Sequence, residues 1–96
     1  MNESQVKNQN FILIQGWMIN ELNLKGNELL IYAIIFNFSQ QDGWFKETLS
    51  FIIKWTKLSK HSVINCIKSL LCKNSIEKKE EYINNIKYCY YRCLVK

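Results

Sequence analysis

Residues 48–76 read TLSFIIKWTKLSKHSVINCIKSLLCKNSI, and this stretch decides the fold. Two helical patterns flank Lys57-Leu58-Ser59. The first carries Leu49, Ile52, Ile53 and Thr56 on one side of a short helix. The second carries Val63, Cys66, Ile67 and Leu70 at i, i+3, i+4 and i+7, the spacing of one buried helix face. Thr48 stands where the first helix needs an N-cap, and Ser59 where the second does. Three residues allow only a tight corner between them. The pattern predicts a helix-turn-helix, whose second helix keeps its polar face free.

Working outward, the C-terminal side predicts a hairpin. Asn74 is placed to end the second helix in a left-handed conformation. Ile76 to Tyr82 and Ile86 to Val95 read as strands about a two-residue Asn84-Asn85 turn. That turn pairs Ile83 with Ile86, and the rest of the register follows. Ile76 then faces Cys93, Lys78 faces Tyr91 and Glu80 faces Cys89. On the other face Glu77 meets Arg92, Lys79 meets Tyr90 and Glu81 meets Tyr88. The side with Ile76, Cys89, Tyr91 and Cys93 is the better core face.

On the N-terminal side, residues 1–10 (MNESQVKNQN) are polar and expected to fray. Phe11 to Gln15 fits either an extended segment or a helical turn. Trp17, Met18, Ile19 and Leu22 suggest a short helix. A helix entry is expected at Asn23 to Gly26, with Glu28 near its positive end. From Asn27 to Ser39 the pattern is helical and apolar on most of its circumference. A domain this small is not expected to cover such a helix all round. A homodimer through the Leu29–Phe38 helix and the Phe11–Met18 segment is the corresponding expectation. Asp42-Gly43 marks a turn, and Trp44-Phe45-Lys46 is a short extended piece.

The 96 residues suit a single domain, expected over 11–96, with one modest core. The absence of Pro and the presence of only three Gly favour helices with few turns. The longest apolar run, Leu29 to Phe36, is too short to span a bilayer, so no membrane partner is expected. No signal peptide opens the sequence, which points to the cytoplasm. Net charge is +5, unevenly spread. Residues 1–45 hold Lys7 and Lys25 against Glu3, Glu21, Glu28 and Asp42, a net −2. Residues 46–96 hold eleven Lys or Arg against Glu47, Glu77, Glu80 and Glu81, a net +7. The basic half contains the helix-turn-helix pattern, as expected if a polyanion docks there.

Catalysis finds little support. His61 is the only His, the glycines are isolated, and Glu80 and Glu81 point to opposite faces of a strand. Cys66, Cys72, Cys89 and Cys93 include no C-x-x-C pair and lack zinc spacing. Cys89 and Cys93 share a strand face but lie roughly 13 Å apart, too far to bridge. All four are expected as core or near-core thiols, with no metal and no cofactor.

A nucleic-acid surface has definite candidates. Outward positions on the second helix are Lys60, His61, Ser62, Ile64 and Asn65, with Lys68 one turn on. The N-terminal half of such a helix reaches base edges in a major groove. Asn65 suits adenine, and Lys60 or His61 suits guanine acceptors. Lys57, Lys60, Lys68 and Lys73 would meet phosphates, and Ser59 could donate to one. Ile64 would touch a thymine methyl or mark a protein contact. Lys78, Lys79, Asn84, Asn85 and Lys87 on the hairpin could reach the neighbouring groove or backbone. Tyr88 and Tyr90 would stack on bases, pack on a partner or cover strand backbone.

Trp17-Met18, LNLKGNELLIYAIIFNFSQ, DGWF and IIKWTKLSKHSVINCIKSLL together resemble the N-terminal winged-helix domain of replication initiator and DnaD-like replisome proteins of phages, plasmids and other mobile elements. The resemblance covers about residues 11–95. It rests mainly on Leu29, Tyr32 and Ala33 and on the K-L-S-K-x-S-V turn at Lys57–Val63. Asn74 replaces a frequent Gly. The resemblance implies a non-enzymatic domain binding double-stranded DNA, often as an oligomer. Such proteins usually continue into a second domain, whereas this sequence stops at Lys96. The expectation divides between an excised domain and a small stand-alone protein. A stand-alone protein could instead use the fold to bind and regulate a protein partner. The expected class is α+β, mainly α: a winged helix-turn-helix with a C-terminal two-stranded wing.

Overall fold

The computed structural model describes residues 11–40 and 42–94. The expected frayed segment 1–10 lies outside them. The described chain forms four helices and one antiparallel hairpin. Helix α1 spans Gly16–Asn20, α2 Gly26–Asn37, α3 Leu49–Thr56 and α4 Lys60–Cys72. Strand β1 spans Ile76–Ile83 and β2 spans Ile86–Cys93. This α+β arrangement is compatible with a winged-helix shape.

The two central helices start where their caps dictate. Thr48 accepts from the Phe51 N–H at 3.2 Å, and Ser59 accepts from the Ser62 N–H at 3.1 Å. Each satisfies an amide that has no partner inside its helix. Lys57 ends α3 in the left-handed region, at φ 61°. Its N–H reaches the Ile53 carbonyl at 2.7 Å, and the chain turns directly into α4.

Helix α2 is the hub. Ile31, Tyr32, Ala33, Ile34 and Ile35 are consecutive and all fully buried. The chain does cover this helix, contrary to expectation. Three layers do so. Trp17 of α1 packs edge-on against Tyr32 and Phe36, with centroids 6.0 and 5.3 Å apart. Phe51 of α3 meets Phe38 at 4.8 Å. Val63, Ile67 and Leu70 of α4 are buried in the same core. The cover is complete over Ile31–Ile35, whereas Leu29, Leu30 and Phe36 are half-buried and Phe11, Leu13 and Ile14 of the preceding segment are exposed. The helix also starts at Gly26 rather than Asn27, after a Lys25 N-cap with no side-chain hydrogen bond.

Residues 11–15, left open between extended and helical, lie outside any helix or strand. Asn37 at the end of α2 holds them. Its side-chain oxygen accepts from the Leu13 N–H at 3.2 Å, and its amide donates to the Leu13 carbonyl at 3.0 Å. A side-chain amide thus imitates the backbone of a neighbouring strand.

The hairpin has the expected register at every pair from Ile76↔Cys93 to Ile83↔Ile86. Asn84 and Asn85 adopt φ of 52° and 66°, the left-handed pair of a tight turn matched to strand twist. Asn74 is also left-handed, at φ 57°. At the hairpin root, Phe45 forms an isolated bridge to Tyr91, so β2 has a one-residue neighbour on its second side. Tyr32 donates its hydroxyl to the Leu94 carbonyl at 3.2 Å and ties the end of β2 to the hub.

The cysteines are free thiols. Cys66 and Cys93 pack against the core, and Cys89 is partly covered. Cys72 departs from expectation: it is exposed, because it falls on the solvent side of the last turn of α4.

Candidate nucleic-acid interface

The candidate surface is built on α3, the Lys57–Ser59 corner and α4. Val63, Ile67 and Leu70 anchor α4 by burying one stripe. His61, Asn65 and Lys68 recur at i, i+4 and i+7, so they form another stripe, and all three are exposed. Lys57, Ser59 and Lys60 are exposed at the corner, and Ser62 is half-buried beside them. The Ser59 hydroxyl also lies 3.1 Å from that of Ser62, so both serines serve the helix entry.

The charge of this surface is one-sided. Between Glu47 and Glu77 the sequence contains Lys54, Lys57, Lys60, Lys68 and Lys73 and no carboxylate. Among the described residues, Lys54, Lys57, Lys60 and Lys68 take part in no ion pair. Lys73 differs. Its ammonium lies 2.7 Å from Glu28, whose other oxygen accepts from the Ser69 hydroxyl at 3.0 Å. The Lys73 contact holds the Glu28 carboxyl below its ordinary pKa. Lys73 is therefore committed to joining α4 to α2 rather than waiting for a phosphate.

Ile64 does not share the outward stripe. It is half-buried and lines a cleft of about 130 Å³ between α4 and the hairpin root, with Leu49, Ile67, Leu71 and Tyr91. Lys68 and Lys78 stand at the same cleft. An apolar residue at this position is explained by the hairpin packed beside it.

The hairpin is electrically different from α4. Lys78 and Lys87 both pair with Glu80, at 3.2 and 3.0 Å, and Lys79 reaches Glu81 at 3.7 Å. Its two cations lower the Glu80 pKa, Lys87 most, and Glu80 in turn raises that of Lys87. Arg92 is paired with Glu77. Trp44 lies against this outer face, with the Lys79 ammonium 4.5 Å and the Arg92 guanidinium 4.6 Å from its ring. Lys79 also stands 5.6 Å from the Tyr90 ring, so Tyr90 belongs to this cover. Asn84 and Asn85 are exposed at the tip but are occupied by turn geometry. Around them Tyr82, Ile83, Ile86 and Tyr88 are exposed apolar side chains.

The predicted residues thus fall into two sets. Lys57, Ser59, Lys60, His61, Ser62, Asn65 and Lys68 come together on one surface. Lys78, Lys79 and Lys87 sit on a hairpin that neutralises most of its own charge. The Trp44 contacts had no signal in spacing, because they join a loop to strands more than thirty residues away.

Among the described residues no cluster of three or more His, Cys, Asp or Glu could hold a metal ion. No helix among them is long and apolar enough to cross a membrane. No family model, curated protein or solved structure matches this chain.

Proposed function

We propose that this chain is a winged-helix domain that binds duplex DNA without catalysing a reaction. The observation that carries the reading is the acid-free stretch between Glu47 and Glu77, with Lys57, Lys60 and Lys68 exposed and in no ion pair among the described residues. The Phe45–Tyr91 bridge supports the winged-helix assignment, since it gives β2 the short third neighbour of a three-stranded wing root. In this mechanism α4 enters a major groove with its N-terminal half. Asn65 and His61 face base edges, while Lys57, Lys60 and Lys68 neutralise phosphates. The proposed role is replication initiation or regulation, a reading supported only by the sequence resemblance to mobile-element replication proteins.

A salt titration of binding to a duplex tests the reading. Three phosphate contacts give a slope of log affinity on log salt of about −3. Undetectable binding to any duplex at low salt rejects it.

A second reading, a protein-binding module on the same fold, is favoured by the hairpin. Its cations are internally paired, and the residues flanking its Asn84-Asn85 tip are exposed and apolar. Salt-insensitive association with a protein and none with DNA would select it.

A further inference from the structure

Strand β2 has a backbone edge that is closed at one residue and open beyond it. The Phe45 N–H donates to the Tyr91 carbonyl at 2.6 Å, and the Tyr91 N–H donates to the Phe45 carbonyl at 3.1 Å. Both backbone groups of Tyr91 therefore point away from β1. In an extended strand every second residue points the same way, so those of Cys89 and Lys87 do too. Among the described residues no backbone group meets them. The space beside them is a cleft of about 330 Å³, bounded by Phe45 to Leu49 on one side and Lys87 to Tyr91 on the other. It is the empty continuation of the strand position that Phe45 occupies once.

We propose that this edge pairs with the same edge of a second copy, joining two hairpins into a four-stranded antiparallel sheet about a twofold axis through Tyr88. A twofold pairing opposes a residue to itself at its centre. Centred on Tyr88, it sets Lys87 opposite the partner's Cys89 as a hydrogen-bonded pair, twice, for four backbone hydrogen bonds. Tyr88 meets the partner's Tyr88 at the closely spaced position between them. Ile86 falls opposite the partner's Tyr90 on the same face. Ile86 and Tyr88 are exposed in the single chain, at 55% and 40%, and this pairing covers both. Like charges are nowhere opposed.

Other registers and the other edge are worse. Centring on Lys87 stacks two lysines. Centring on Cys89 sends the strand residue Lys87 to the partner's Tyr91, a position Phe45 already fills, whereas centring on Tyr88 brings only the turn residue Asn85 towards it, so the paired segment ends at Ile86 and the partner's Tyr90. The free edge of β1 runs through Glu77-Lys78-Lys79-Glu80-Glu81, so a twofold centred on any of these sets a charge on its own copy. Five consecutive charges protect that edge in the usual manner of edge strands, and the β2 edge lacks such protection. The dimer does not depend on the DNA reading, and it should persist at salt concentrations that abolish DNA binding.

Sedimentation of the full chain tests it. The wild type should sediment as a dimer in high salt. Tyr88→Lys should be monomeric, with unchanged helical circular dichroism. In a Cys72→Ser background, which removes the exposed thiol, Tyr88→Cys should form a disulfide-linked dimer on mild oxidation, because the closely spaced pair brings the two Cβ atoms near bridging distance. Lys79→Cys should not. A wild type that stays monomeric to millimolar concentration overturns the proposal. A dimer that survives Tyr88→Lys, or a cross-link at Lys79→Cys as fast as at Tyr88→Cys, overturns it equally.

Discussion

Glu28 and Lys73 lie 45 residues apart in sequence and 2.7 Å apart in space. The pair closes the domain, since it joins the first turn of α2 to the end of α4. Glu28 also sits where the α2 amides favour a negative charge. Its side chain is 25% exposed and that of Lys73 51%, so solvent screens the attraction. Glu28→Gln should cost about 0.5–1 kcal/mol at neutral pH. The folded pKa is lowered, chiefly by Lys73. The stabilisation is therefore fully present above the unfolded carboxyl pKa and disappears as pH falls through the lower folded value. Denaturant titrations of both proteins should differ at pH 7 and converge in acid.

Phe45 is the hinge between helices and hairpin, and it is fully buried. Its ring packs 6.0 Å from that of Phe51, and its backbone holds Tyr91. Phe45→Ala keeps the backbone bridge and empties the core, so a loss of about 3–5 kcal/mol is expected. Trp44→Ala removes only the cover over Lys79 and Arg92 and should cost roughly 1 kcal/mol. Thermal unfolding of the two variants should separate them clearly. Equal effects would mean that the outer face contributes more than its contacts suggest.

The contrast between Phe45 and Ser59 shows what was legible in the sequence. Ser59, Thr48 and the Val63–Leu70 stripe are local signals, because caps and helical periodicity act within one or two turns. The hairpin was equally legible, since Asn84-Asn85 sets every pair that follows. Phe45 could be recognised as extended, but its partner Tyr91 could not, because one bridged residue has no periodicity. The same holds for Asn37 gripping Leu13 and Glu28 holding Lys73. The periodicity of α4 by itself places Ile64 outward, and the hairpin root, which helical periodicity does not report, fills that side. For α2 the expectation underestimated how much one short chain can cover with Trp17, Phe51 and the α4 stripe.

The thiols should separate by environment. Cys72 is exposed at the end of α4. Burial pushes the Cys93 thiol up to about 12, so thiolate is scarce there at neutral pH. Cys66 is also raised by burial. Alkylation of the native protein should modify Cys72 first and Cys93 only on unfolding, as read by peptide mass mapping. Early labelling of Cys93 would show that the Leu94–Tyr32 end of β2 opens readily.

Lys57 links stability to the proposed binding. Among the described residues five non-glycine positions take positive φ, and four of them, Asn23, Asn74, Asn84 and Asn85, are Asn. Asn tolerates this region, whereas a lysine there costs about 1–2 kcal/mol. Lys57→Gly relieves that strain but loosens the unfolded chain, so a net gain of about 0.5–1 kcal/mol is expected. The same change should weaken DNA binding several-fold and make the salt slope shallower by about 1, the loss of a single phosphate contact. A variant that is more stable and binds equally well would remove Lys57 from the interface.

The final test sets α4 against the hairpin. Lys60 and Lys68 take part in no ion pair among the described residues, whereas Lys78 and Lys87 share Glu80 and Lys79 faces Glu81. A lysine that already holds a carboxylate must give up that pair, or drag the carboxylate along, before it serves a phosphate. Lys60→Glu with Lys68→Glu should therefore abolish binding at low salt, since each change replaces attraction with repulsion. Changing Lys78, Lys79 and Lys87 together to Gln leaves Glu80 and Glu81 uncompensated and alters the net charge by nearly as much, three units against four. If long-range charge alone governed binding, the two variants would be similarly weak. If contact by α4 governs it, the hairpin variant should retain most of its salt slope and lose far less affinity. Fluorescence anisotropy at three or more salt concentrations separates the outcomes, and full binding by the Lys60/Lys68 variant would reject α4 as the contacting helix.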